Sequence, residues 1–329
     1  MSLESLQVLW FVLIAVLWTG FFFLEGFDFG VGILQFLLGK NERERGTYIV
    51  SIGPHWDGNE VWLLTAGGAV FAAFPFWYAT FFSALYLPFV ILLLALIVRG
   101  VCFEIRHRAN FQKSRLICDV ALMVSSLLPS ILVGVAMADL VIGIPINASG
   151  NFTGNFLDLV KPFALFGGVL GFSLFLTNGA LFLTLKIEGE LQTRAYKFSK
   201  ISVVVCVSLF AIAAALLCKY SIICIVSLIF ISGAAVSVFK QRLKTAFILV
   251  ALCTACSVAA LFYTMFPNVL VSSIAENNLT IWNASSSAYT LKIMSITAAI
   301  FVPIVLAYQI WSYYIFRKRI SPRNANLEV

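Results

Sequence analysis

Charge is scarce in this chain: only 11% of its 329 residues are Asp, Glu, Lys or Arg, while 61% are hydrophobic. Soluble globular domains carry about 25% charged residues, so a soluble enzyme or a separate soluble domain is excluded. Histidine is nearly absent, with two residues, His55 and His107. That leaves little with which to ligate metal or several haems. No P-loop, glycine-rich dinucleotide fingerprint, His-Glu-x-x-His motif or nucleophile elbow occurs. A basic signal-peptide start is also missing, since Glu4 is the only early charge. The first apolar run is therefore read as a retained helix. The seven cysteines are odd in number and mostly lie inside apolar runs. Cys253 and Cys256 have redox or metal spacing but sit mid-helix without turn residues. All seven are read as small buried hydrophobes.

What the chain has is apolar length. Runs of about 20 apolar residues mark membrane-spanning helices. They predict about nine in one all-α transmembrane domain covering residues 1–329, at 6–38, 54–74, 78–105, 116–138, 162–185, 199–218, 221–239, 245–266 and 290–316. The break at Lys219-Tyr220 implies a tight hairpin between the sixth and seventh. No internal repeat is evident.

The net charge of +7 does not point to nucleic acid, because the basic residues fall in alternate connections. Lys40, Arg43 and Arg45 follow the first helix. Arg106, Arg108, Lys113 and Arg115 follow the third, and Lys186, Arg194, Lys197 and Lys200 the fifth. Lys240, Arg242 and Lys244 follow the seventh, and Arg317, Lys318, Arg319 and Arg323 the last. The remaining connections hold Lys161, Lys219 and Lys292, and Arg99 lies within a helix. By the positive-inside rule the N-terminus is periplasmic and the C-terminus cytoplasmic. The long connections 139–161 and 267–289 then face outward. Their Asn-X-Ser/Thr triplets at Asn147, Asn151, Asn278 and Asn283 are read as chance products of polar loops.

Acids inside apolar runs need a reason, since each ionised carboxylate in hydrocarbon costs about 2.5–3.5 kcal/mol. Glu25 and Asp28 are three residues apart and share a helix face. Gly26, Gly30 and Gly32 beside them permit close approach of another helix. Asp57 and Glu60 fall in the first turns of a helix expected to start at Pro54, flanked by Trp56 and Trp62. Arg99 is their candidate ion-pair partner. Glu104 and Asp119 sit at helix ends, where a surface role is expected. Six acids and one arginine thus gather toward the cytoplasmic side, and none is expected deep in the outer half. A proton path from the cytoplasm fits, and so does a static ion-pair cluster. A proton-coupled secondary transporter, using the same acids for its coupling ion, is the alternative from another class. His55 is read as an interfacial hydrogen-bonding residue and His107 as solvated.

Several blocks resemble one family. They are Glu25-Gly-Phe-Asp-Phe-Gly-Val-Gly32, the stretch Gly53 to Pro75, Arg99 with Glu104 and Arg106, Thr153-Gly-Asn-Phe156, and Leu279-Thr-Ile-Trp-Asn-Ala-Ser-Ser-Ser287. In order and over nearly the whole chain, they are similar to subunit II of the cytochrome bd-type quinol oxidases, which include the cyanide-insensitive oxidases. The resemblance implies a heterodimer in the bacterial inner membrane with a haem-bearing subunit I. That partner would hold haem b with haem d, or haem b alone, and the quinol site. The complex would oxidise quinol, reduce dioxygen to water and build a proton gradient. This chain would ligate no haem or metal. It would contact lipid and quinone, could meet a small accessory subunit, and would bind no nucleic acid. It would stabilise subunit I and supply cytoplasmic protons through Asp57 and Glu25, with Asp28, Glu60 and Asp119 as further candidates. The short connection between the sixth and seventh helices departs from the many relatives with a long insertion there, so contacts made by that insertion do not carry over.

Overall fold

A computed structural model describes residues 2–217 and 223–321. It consists of eleven α-helices, α1 (Leu3–Leu38), α2 (Glu42–Ile52), α3 (Trp56–Ala73), α4 (Pro75–Ala84), α5 (Tyr86–Arg108), α6 (Gln112–Ile142), α7 (Pro162–Lys186), α8 (Gly189–Leu217), α9 (Ile223–Phe239), α10 (Leu243–Met265) and α11 (Ala288–Ile315), with one small hairpin. Among the described residues, seven helices are long and apolar enough to cross a membrane: α1, α5, α6, α7, α8, α10 and α11. Two shorter candidates accompany them. The 18-residue α3 is diluted by Asp57, Asn59 and Glu60, and α9 has 17 residues. The expected hairpin at Lys219-Tyr220, together with Cys218, and also Arg323, lie outside the described residues.

Helix α1 is the axis of the bundle. Its 36 residues reach about 54 Å at 1.5 Å per residue, well beyond a hydrocarbon core of about 30 Å. Every residue from Glu25 to Gln35 is buried, because α3, α6 and α7 all pack against it. Glycine makes the α1–α7 approach possible. A methyl group added at Gly30 would lie 2.2 Å from the Phe175 carbonyl oxygen and 2.9 Å from the Gly179 Cα. A side chain at either glycine would force the two backbones apart.

The single helix expected over 78–105 is two helices, α4 and α5, broken at Leu85 (φ −94°, ψ 24°). Pro88 supplies the reason. In an unbroken helix its missing N–H would leave the Ala84 carbonyl unbonded, and its ring would clash there. The helix expected from Pro54 begins instead at Trp56, with His55 at its N-cap.

Helix α2 was not expected at all. Its residues fall in what reads as a basic loop, yet the Asn41 side chain caps it by accepting from the Glu44 N–H at 3.0 Å. Its second half, Thr47–Ile52, is buried. Tyr48, Ile49 and Ile52 join Phe27, Val31, Leu34, Leu122 and Leu183 in an apolar core.

The two long connections, 143–161 and 266–287, interlock at one end of the bundle. Ile144 N donates to Val271 O at 3.1 Å, and Asn277 Nδ2 to Ile146 O at 2.7 Å. The hairpin strands β1 (Asn268–Leu270) and β2 (Leu279–Thr280) pair antiparallel within the second connection. At the opposite end, α2 lies against α1, α6 and α7, and Ile320 N bonds to Lys186 O at 2.8 Å. The six described cysteines are free thiols.

Candidate functional site: a buried carboxylate cluster

Glu25 and Asp28 point from one face of α1 into the interior, and both are fully buried. Arg99 of α5, also fully buried, meets them. Its Nη1 donates to Glu25 Oε1 in a short contact and to Glu60 Oε2 of α3 at 3.2 Å. The guanidinium is sandwiched between two aromatic faces, Phe29 at 5.0 Å and Phe103 at 5.3 Å. Those faces add cation–π attraction. Trp56 stacks on Phe103 at 4.7 Å and ties the start of α3 to α5.

Asp28 is held from the other side. Asn59 Nδ2 donates to Asp28 Oδ2 at 2.6 Å. The Asn59 carbonyl oxygen accepts from the Tyr313 hydroxyl at 2.8 Å and from Gln309 Nε2 at 3.2 Å, both on α11. His55 lies flat on the Tyr313 ring at 4.2 Å. Four buried polar atoms of this cluster have no partner in the protein: Glu25 Oε2, Asp28 Oδ1, Arg99 Nε and Arg99 Nη2. Two fully buried carboxyl groups thus face one guanidinium and retain open oxygens. A buried uncompensated charge is costly, and one guanidinium can balance only one of these carboxylates when both are ionised.

The sequence-predicted site residues divide into three groups. Glu25, Asp28, Glu60 and Arg99 come together as described. Asp57 does not join them, because its side chain is exposed. Asn59 faces inward, and Asp57, two residues back, is rotated about 200° around α3. Asp119 forms a different site. The surface role expected for it is wrong: it is fully buried, with Oδ2 on Arg45 Nε at 2.7 Å and Oδ1 on Arg106 Nε at 2.6 Å. The unexpected α2 causes this, since it carries Arg45 and covers the end of α6. Arg106 also donates to the Glu42 carbonyl at 3.1 Å, Arg115 pairs with Glu42, and Arg194 grips both oxygens of Glu44 at 2.8 and 2.6 Å. Glu104 stays on the surface, 3.7 Å from Arg108.

Two functional candidates escaped sequence reasoning. Asn59, between two acids in the sequence, was not singled out. Asp139 was assigned to a loop, and the outer half was expected to lack deep acids. In fact α6 runs on to Ile142, and Asp139 is buried with neither carboxylate oxygen bonded. A longer helix could have been inferred from the unbroken Ala-Met-Ala-Asp-Leu-Val-Ile run.

Among the described residues, no group of three or more His, Cys, Asp or Glu could hold a metal ion. Of the two histidines, His55 is buried with its ring flat against Tyr313, and His107 is exposed in the last turn of α5.

An all-α, multi-pass bundle with an arginine–carboxylate cluster between α1, α3 and α5 is the architecture of a polytopic membrane subunit. Comparison with known proteins gives its family. The model for "Cytochrome bd terminal oxidase subunit II" matches residues 6–316, and the chain belongs to that family. It is similar to cytochrome bd ubiquinol oxidase subunit 2 of Bacillus subtilis (strain 168), with 44% identity over 97% of this chain and 98% of that one. Cytochrome bd-I ubiquinol oxidase subunit 2 of Escherichia coli (strain K12) is 33% identical over 97% and 96%. A chain in the structure of bd oxidase from Geobacillus thermodenitrificans shares the fold, with a TM-score of 0.70 at 17% identity over 94% of this chain and 97% of that one. The protein is accordingly a multi-pass inner-membrane component of an oxidoreductase of the cytochrome bd type.

Proposed function

We propose that this chain is the haem-free half of a quinol oxidase that couples quinol oxidation to reduction of dioxygen, and that it delivers cytoplasmic protons toward its partner. In this reading the chain is one transmembrane domain with nine spans, its N-terminus periplasmic and its C-terminus cytoplasmic. Its partner is a haem-bearing subunit I that holds haem b with haem d, or haem b alone, and the quinol site. Its exposed apolar helices face that subunit, lipid and quinone. The basic connections and α2 share one end of the bundle, which supports placing that end in the cytoplasm.

One observation carries the proton role: Glu25 and Asp28 lie fully buried against Arg99, each with a carboxylate oxygen that has no partner. Asp57, exposed at the start of α3, is the entry acid. Glu60, half-buried between Asp57 and Arg99, is the next step. Glu25 and Asp28 form the interior store, and Arg99 holds their charge in place. Asp119 leaves the proton-path candidates, because both its oxygens are occupied by guanidinium groups.

A static ion-pair cluster is the second reading, favoured by the two ion pairs that Arg99 Nη1 makes, with Glu25 and with Glu60. Asp28→Asn and Glu25→Gln in the purified two-subunit complex separate the two. A relay predicts normal haem content and subunit ratio with turnover down by roughly 10²-fold or more, the range of general acid–base effects. Loss of assembly with normal turnover per remaining complex would leave the static reading. Family membership removes the ground for the transporter alternative. An absorption spectrum of the complex, purified through a tag on this chain, checks the partnership directly and reads the haem type.

A further inference from the structure

Asn59 is the fully buried amide at which α1, α3 and α11 meet. Its orientation follows from a chain of donors. The Trp62 indole N–H can only donate, and it donates to Gln309 Oε1 at 3.0 Å. That turns Gln309 Nε2 toward Asn59 Oδ1, at 3.2 Å. The Tyr313 hydroxyl reaches the same oxygen at 2.8 Å. With its carbonyl oxygen engaged by two donors, Asn59 must present its NH2 to Asp28, and Nδ2 stands 2.6 Å from Asp28 Oδ2. An amide NH2 accepts nothing, so a proton on Oδ2 would have no acceptor there. Asp28 Oδ1 has no partner in the protein. The remaining charged and titratable groups acting on Asp28 are Glu25 on its own helix, Glu60 on α3, Arg99 on α5 and Tyr313 on α11.

We propose that Asn59 is a positioning residue that reserves Asp28 Oδ2 as a hydrogen-bond acceptor and leaves Oδ1 as the oxygen that exchanges protons, with α11 setting the amide through Gln309 and Tyr313. The proposal deepens the relay reading and rests on it. It also gives α11 a task. Leu291 is the one residue of that helix recorded as buried, so its polar bonds to Asn59 are a principal anchor of its cytoplasmic half.

The test uses the intact haem-containing complex. Three forms are compared: Asp28→Asn, Asn59→Leu, and the double variant Tyr313→Phe with Gln309→Met, which removes both donors at similar volume. Haem content and subunit ratio report assembly. Turnover against pH, and the redox-difference infrared band of the Asp28 carboxyl, report the proton chemistry. That band is identified by its loss in Asp28→Asn. Asn59→Leu is expected to shift the pH midpoint of turnover by about one unit, the equivalent of a tenfold change in proton affinity, and to move the carboxyl band. The double variant is expected to do the same at normal haem content, which keeps the test decisive where Asn59→Leu does not assemble. An unchanged pH profile and band in both, with Asp28→Asn strongly impaired, would overturn the role of Asn59 and leave the relay standing. Normal turnover in an assembled Asp28→Asn complex would overturn the relay reading itself.

Discussion

Replacing Asp119 by Ala tests the latch at the basic end of the bundle. The carboxylate is fully buried and is the shared partner of Arg45 and Arg106, whose side chains are 15% and 8% exposed. Removing one partner of a buried ion pair costs about 3–5 kcal/mol, because the other charge stays buried and unpaired. Here two guanidinium groups lose their acceptor. Arg45 reaches some solvent and Arg106 keeps its bond to the Glu42 carbonyl, so the lower end, about 3 kcal/mol, is expected. At about 2 °C per kcal/mol for a chain of this size, the melting temperature falls by roughly 6 °C. The assay is thermal unfolding of the purified complex, read by helicity and by retention of haem. Asp119→Asn keeps the shape but not the charge and should fall between. Adding Arg106→Met to Asp119→Ala should recover part of the loss, since removal of both charges is far cheaper than removal of one. A melting temperature for Asp119→Ala within 1–2 °C, roughly the wild-type value on that scale, would refute the latch.

Two other substitutions probe different links. Gly179→Val drives a branched side chain into α1, whose Gly30 Cα would lie 2.7 Å from the first added carbon. Overpacking of this kind costs about 1–3 kcal/mol or more, and the yield of assembled complex should drop sharply, whereas Gly58→Ala, with open space around it, should be tolerated. The Glu44 carboxyl is held below its usual range, chiefly by its hydrogen bonds from Arg194. A depressed folded-state value means that this pair stabilises the protein above the unfolded value of about 4.3 and loses that effect as pH falls through the folded value. Glu44→Gln should therefore lower stability at neutral pH and flatten its acid-side decline, as read by unfolding curves across the acid range.

Long uniform signals were legible in the sequence, and local geometry was not. Hydropathy located seven runs that form helices long and apolar enough to cross a membrane, because about 20 apolar residues in a row have few other uses. It overran the break at Leu85, since a single Pro88 interrupts backbone bonding while barely lowering the hydropathy of a long apolar run. It also missed α2, whose evidence is a cap at Asn41 and a buried second half rather than an apolar run. That omission propagated: with α2 read as loop, Asp119 looked solvated, although α2 is what buries it. The acids on α1 were legible because their i, i+3 spacing fixes a shared face. The exposed position of Asp57 was not legible for the complementary reason, as a helix start was located without its phase. The burial of Asn59, Ala66, Ala69, Val70 and Ala73 shows which side of α3 faces into the bundle.

The two polar clusters of this bundle differ in a way that bears on their work. Around Asp119 each carboxylate oxygen is matched to a guanidinium N–H, and such matched pairs fix geometry. Around Glu25 and Asp28 the count of donors and acceptors is left open, with four buried atoms unbonded. Open polar atoms destabilise a fold unless something exchanges with them. A bundle evolved for stability alone would gain from closing that count or from an apolar replacement of similar volume. Under the proposed relay, the open oxygens of Glu25 and Asp28 beside Arg99 are where a transferred proton would sit, whereas Asp119, with both oxygens held by guanidinium groups, would offer it no place.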